Sequence, residues 1–191
     1  MKNNKMNVLF LSNMIAEKGV WTIVEAAKIL HVKNLPVEFH FVGKWSDITE
    51  EMFKRALIES HLEDVCFAHG GKYGKEKDEF WAVADVFVFP TFYHNECFPL
   101  VLLEAMQHHL PCISTTEGGI PGIIDDKETG FLIEKHDFHT LADKLEYFIE
   151  HPQDSERMGE NGYRKFHDKF TLRKFEESMV DILNDCLHSE A

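Results

Sequence analysis

Short apolar segments alternate along this chain with stretches of helical period. Val8–Leu11, Val37–Val42, Val65–Ala68, Val86–Phe89, Cys112–Thr115 and Phe131–Ile133 are rich in Val, Ile and Phe and read as strands. Val86-Phe87-Val88-Phe89 has no polar position, the mark of a strand buried on both faces of a parallel sheet. Between the strands, Trp21, Val24, Ala27 and Leu30 recur at helical spacing and predict a helix over Val20–His31. Asp47 followed by Glu50 resembles a capping box opening a helix that runs to about Ser60. Further helices are predicted over Lys75–Val83, Pro99–Gln107, Phe138–Glu150 (with Asp137 as N-cap), Gln153 to about Phe170, and Leu172–Leu187, with a short helical turn around Gly122–Asp125. Strands alternating with helices predict an α/β fold: a doubly wound, mostly parallel sheet of about six strands, helices on both faces, and extra helices at the C-terminal end. No repeat or linker interrupts the pattern, so residues 1–191 are expected to form a single domain.

Charge narrows the partners. The formal net charge is −13, which opposes a nucleic-acid surface while leaving room for a local phosphate pocket. No apolar run approaches a membrane span. The start, Met1-Lys2-Asn3-Asn4-Lys5, has no signal-peptide core, so a cytoplasmic location is expected. The four cysteines, Cys66, Cys97, Cys112 and Cys186, form no C-x-x-C pair and are too dispersed for a disulfide framework or zinc site. Cys66 and Cys112 fall in strands and are expected in the core. Cys97 lies near a helix start, which favours a thiolate, but no general base accompanies it. The twelve histidines show no metal-binding spacing such as H-E-x-x-H. His108 and His109 are placed at a helix end, where positive charge is favourable. His94, beside Glu96, is the one histidine worth testing for acid–base work.

The chemistry concentrates in Pro90–Gln107, P-T-F-Y-H-N-E-C-F-P-L-V-L-L-E-A-M-Q. This loop and helix follow the most apolar strand, and open α/β sheets bind ligands at the carboxyl ends of their strands. Glu96 and Glu104 are eight residues apart, about 12 Å if the whole segment were helical. A retaining glycosidase needs its carboxyls roughly 5 Å apart. The spacing suits instead a ligand with two hydroxyl-bearing groups flanking an anion, and a helix start supplies free N–H groups for that anion. A nucleotide sugar has this layout.

E-C-F-P-L-V-L-L-E-A-M resembles the E-x7-E signature of retaining glycosyltransferases with the two-domain GT-B fold. The resemblance implies Glu96 for the donor sugar, Glu104 for the ribose, and the N–H groups of Leu100 and Val101 for phosphate, with Cys97 and Phe98 lining the same loop. L-F-L-S-N-M-I-A-E-K-G resembles the family's first strand and loop, usually G-R-L-x-x-x-K-G. Lys18 matches the lysine that neutralises the diphosphate; Asn13 stands where the family has arginine. Glu117-Gly118-Gly119-Ile120-Pro121 resembles the glycine loop facing the donor, with Gly122 where an acid is common. Asp126, Thr129 and Gly130 fit a structural D-G-x-T-G turn in which Lys127 replaces the first glycine. Pro99 and His109 also replace common glycines. Asp85 is expected to be structural, and Tyr73, after Gly70 and Gly71, is a candidate to stack on a base.

Together these imply one Rossmann-like half of a GT-B enzyme: the C-terminal, donor-binding domain without its N-terminal acceptor domain. The implied reaction transfers a hexosyl group from a UDP-, GDP- or ADP-sugar to an acceptor hydroxyl with retention, without a metal or other cofactor. The implied acceptor is a sugar or lipid-linked sugar, in envelope or capsular polysaccharide synthesis, with peripheral membrane association of a longer enzyme left open. The chain alone is then expected to transfer little. A non-catalytic nucleotide-sugar binding module and a nucleotide-sugar epimerase of the same architecture are the alternatives. A dehydrogenase should carry G-x-G-x-x-G after its first strand, and Ser12–Gly19 does not. The apolar stripe Leu172, Phe175, Met179, Ile182, Leu183 and Cys186 is expected to face a missing domain or a second copy.

Overall fold

The computed structural model describes residues 5–188; the polar start at residues 1–4 lies outside them. Six strands form one parallel sheet: β1 (Met6–Leu11), β2 (Val37–Val42), β3 (Cys66–Ala68), β4 (Val86–Phe89), β5 (Cys112–Thr115) and β6 (Gly130–Ile133). Their spatial order is β3-β2-β1-β4-β5-β6. This is the doubly wound Rossmann-like order, in which the chain builds outward from β1 in one direction and then, from β4, in the other. Every residue of β4 and β5 is buried, so both faces of the sheet centre are covered. Phe10, Phe39, Phe41, Phe87 and Phe89 fill the core beside Trp81 and Phe53.

The connecting helices are α1 (Val20–Val32), α2 (Glu50–Glu59), α3 (Lys75–Val83), α4 (Leu100–Gln107), α5 (Ile120–Ile123) and α6 (Phe138–Glu150), followed by α7 (Pro152–Lys169) and α8 (Leu172–His188). Helix α1 packs on α6, and α4 on α7. Gly159 of α7 lets that helix approach the turn after α4 closely: a Cβ there would lie 2.0 Å from the His109 carbonyl oxygen.

Several expectations need correction. The N-cap of α2 is Thr49, whose hydroxyl accepts from Met52 N at 3.2 Å, and not Asp47. Asp47 accepts instead from the backbone N–H of Ala16 and Ile48, so it braces the loop after β1. Pro99 is the N-cap of α4, one position outside the helix. The short helical turn is Ile120–Ile123, two residues earlier than the sequence pattern places it, because Pro121 starts the turn as readily as it ends a loop. His108 caps α4 but stacks on Trp81 with centroids 5.6 Å apart, and burial pushes its pKa down, against the favourable charge expected at a helix end. Asp85 is structural as expected: its carboxylate accepts from Asn7 N at 2.8 Å and Asn7 Nδ2 at 3.1 Å. The stripe Leu172, Phe175, Met179, Ile182 and Leu183 of α8 is exposed.

Candidate functional site

The order of strands reverses between β1 and β4, and the loops leaving these two strands meet at their carboxyl ends. Such a reversal opens a crevice, because successive helices pass to opposite sides of it. Glu17 fixes the meeting of the loops: its carbonyl accepts from Phe92 N at 2.8 Å and from the Thr91 hydroxyl at 3.3 Å. Gly19, at φ 89°, allows the contact, since a Cβ there would sit 2.3 Å from the Pro90 carbonyl oxygen.

This junction brings Lys18 and Glu96 together, 78 residues apart in sequence. Their side chains form a mostly buried ion pair, and the Lys18 ammonium lies 4.4 Å from the Tyr93 ring centre and 5.5 Å from that of Phe89. The cation therefore sits in an aromatic cradle beside a carboxylate, with most of both side chains withdrawn from solvent. Glu96 is held by the glycine loop as well. Gly118 adopts φ 52°, and a Cβ on it would fall 1.7 Å from the Glu96 carbonyl oxygen. Gly119 N donates to the Cys97 carbonyl at 2.7 Å. Both glycines are thus needed for contact with the Glu96–Cys97 backbone itself. Glu117, next to them, pairs with Lys135 at 2.5 Å, which holds its carboxyl below the usual range.

Helix α4 begins shortly after Glu96 in the chain, at Leu100. Among the described residues, the N–H groups of Leu100 and Val101 have no acceptor within the chain, as the first turn of a helix requires. Leu100 and Phe98 are exposed, and Phe98 meets Phe170 edge-on at 6.0 Å. One turn into the helix, Glu104 receives Lys77 of α3, whose ammonium lies 3.0 Å from both carboxylate oxygens. Asn13 is exposed. Cys97 is exposed, whereas burial raises the thiol of Cys66 to about 12 and that of Cys112 still further. His94 is largely exposed, with Nδ1 3.7 Å from the Glu17 carboxylate and Nε2 2.9 Å from Asn95. It does not join the Lys18–Glu96 pair. Tyr73 is exposed beside Lys44, whose ammonium is 5.5 Å from its ring centre.

Lys77, Lys135 and the cradling ring of Tyr93 escape a sequence reading. Lys77 and Glu104 are 27 residues apart on different helices, and no local pattern announces their contact. Among the described residues, no group of three or more His, Cys, Asp or Glu side chains is arranged to hold a metal ion. No helix there is long and apolar enough to cross a membrane.

An all-parallel, doubly wound sheet in this strand order is the Rossmann-like half of a GT-B architecture. The sequence model of the glycosyl transferases group 1 family matches residues 1–165, and the chain belongs to that family. It is 27% identical over 187 residues to the capsular polysaccharide biosynthesis glycosyltransferase CapM of Staphylococcus aureus, covering 97% of this chain and 47% of CapM. The chain thus spans about half the length of the curated relatives it matches. Among solved structures, Anabaena HepE in complex with UDP and glucose superposes with a TM-score of 0.84 at 19% identity, over 95% of this chain and 48% of HepE. The C-terminal domain of a glycosyl transferase group 1 family protein, LpcC of Francisella tularensis, superposes at 0.77 with 24% identity, over 87% of each chain. At these identities the structural likenesses establish the fold.

Proposed function

We propose that this chain is the donor-binding half of a retaining glycosyltransferase that uses a nucleoside-diphosphate sugar. The observation that carries the reading is the Lys18–Glu96 pair, mostly buried, with the lysine in an aromatic cradle, at the switch point of the sheet. Ion pairs that only stabilise a surface do not need loops from two strands to be locked together around them. Here Glu17, Gly19, Gly118 and Gly119 all fix backbone at the pair. The neighbouring matches with family motifs, and a structural relative bound to UDP and glucose, support the same reading.

In this reading the donor divides the pair. Lys18 turns to the diphosphate, where its charge and the N–H groups of Leu100 and Val101 offset the negative charge that builds as the glycosyl–phosphate bond breaks. Glu96 is left to accept hydrogen bonds from the sugar hydroxyls, and Glu104 from the ribose. Cys97, Phe98, Gly118 and Gly119 shape the wall between them. Asn13, uncharged where relatives of this type place arginine, leaves Lys18 as the cation of the first loop. The acceptor then belongs to a further domain of a longer enzyme, and polysaccharide assembly is the setting.

Calorimetric titration with UDP, GDP and ADP and their sugar conjugates tests this. One diphosphate should bind, and Glu104→Ala should weaken it by about tenfold, the loss of one charged hydrogen bond. Absence of binding by all three at millimolar concentration would overturn the reading. Binding unaltered by Glu104→Ala would remove the ribose role.

A further inference from the structure

Glu104 is a weak ribose ligand if left alone. Its side chain is 37% exposed, and an exposed glutamate samples several rotamers. A lone carboxylate there also repels the diphosphate of any nucleotide it is meant to hold. The structure supplies a remedy for both defects. Lys77 places its ammonium 3.0 Å from each oxygen of Glu104, so the carboxylate is gripped symmetrically and its rotamers are restricted. The lysine also cancels its charge.

The position of Lys77 is unfavourable for helix α3 by itself. It is the third residue of that helix, at the end where the macrodipole is positive and a cation is disfavoured. Glu76 and Asp78 beside it satisfy the dipole in the usual sense. Lys77 therefore contributes through Glu104, across the groove between α3 and α4, and not through its own helix. The other titratable groups around the pair are few. His108 lies close enough to feel both charges, and burial holds it toward its neutral form. No second acid within reach competes for Lys77 among the described hydrogen bonds and ion pairs.

We infer that Lys77 is a positioning residue for ribose recognition: it orients and neutralises Glu104 so that this carboxylate reads the ribose hydroxyls of an anionic nucleotide. The inference rests on the donor-binding reading above. It assigns a specificity role to a residue on a different helix from the signature acids.

The test is a ratio. Dissociation constants are measured by calorimetry for the nucleoside diphosphate that binds and for its 2′-deoxy counterpart, on the wild-type chain, Glu104→Gln, Lys77→Met and Lys77→Arg. The wild type should prefer the ribonucleotide, and Glu104→Gln, which keeps an acceptor oxygen but loses the charge, should reduce the preference. Lys77→Met should shrink it by up to about fivefold, the reach of a partly exposed ion pair. Lys77→Arg, which keeps the charge and can grip a carboxylate with two donors, should restore most of it. A merely structural lysine would weaken both nucleotides equally and leave the ratio intact, which overturns the inference alone. Tighter ribonucleotide binding by Lys77→Met also overturns it, since the lysine would then be obstructing the subsite. A preference left unchanged by Glu104→Gln removes the ribose role of Glu104 and this inference with it, whereas no binding of any diphosphate brings down the donor-binding reading as well.

Discussion

Replacing Gly118 by alanine tests whether the glycine loop is a brace for Glu96. Two costs add. A residue with a Cβ at φ 52° is in the left-handed region, at about 1–2 kcal/mol. The new Cβ would also start 1.7 Å from the Glu96 carbonyl oxygen, which is backbone and has no rotamer to escape into. Overpacking of this kind costs about 1–3 kcal/mol. The sum, about 2–5 kcal/mol, is a large part of the roughly 5–15 kcal/mol that holds a domain folded. For a chain of this size it lowers Tm by roughly 4–20 °C. The control is Gly122→Ala: no atom lies within 4 Å of its Cβ and the residue is in helix α5, so it should be stable to within about 1 kcal/mol of wild type. Circular dichroism melts of the two variants decide the matter. If the clash is relieved by moving the Glu96 carbonyl, nucleotide affinity should also fall in Gly118→Ala and not in Gly122→Ala. An unchanged Tm for Gly118→Ala would refute the close approach on which the brace depends.

Other consequences are as direct. Lys127 stands at φ 65° on an exposed turn, so Lys127→Gly should raise stability by about 1 kcal/mol in denaturant titrations; His109, at φ 56°, also stacks on Tyr163 and pairs with Glu160, so His109→Gly should bring no comparable gain. A small thiol reagent at pH 8 should modify exposed Cys97 in the native chain, whereas Cys66 and Cys112 should react only on unfolding, as mass spectrometry of labelled peptides would show. Burial, with the nearby charge of His40 and Lys72, holds His69 at about 4, against 6.5 for an ordinary histidine. The unfolded chain thus takes up a proton first, and stability should fall as pH drops from about 6.5 toward 4, with His40 shifted in the same direction. His69→Gln should flatten that part of a stability-against-pH curve, and an unchanged slope would refute the assignment.

The apolar and polar pattern alone determined the architecture. Strand and helix periods differ enough that β2, β4, β5, α3 and α6 have the bounds the sequence predicts. It also determined the candidate acids, because Glu96 and Glu104 lie on one continuous segment whose spacing and family likeness are visible in the chain. What the sequence left open was set by contacts between distant segments. Asp47 looks like a cap by its spacing to Glu50, yet Thr49 is nearer the helix axis start and Asp47 is drawn to the loop after β1. His108 looks like a helix-end cation, yet it stacks on Trp81 and partial desolvation pushes its pKa down. The glycines at 118 and 119 look like a surface for ligand, yet they first serve the backbone of Glu96 and Cys97. Above all, the partner of each acid comes from another element: Lys18 for Glu96, Lys77 for Glu104, Lys135 for Glu117. Periodicity and spacing report only neighbours along the chain, whereas an ion pair depends on distance in space. The pairing of charges that defines this site exists only once the sheet has brought its loops together.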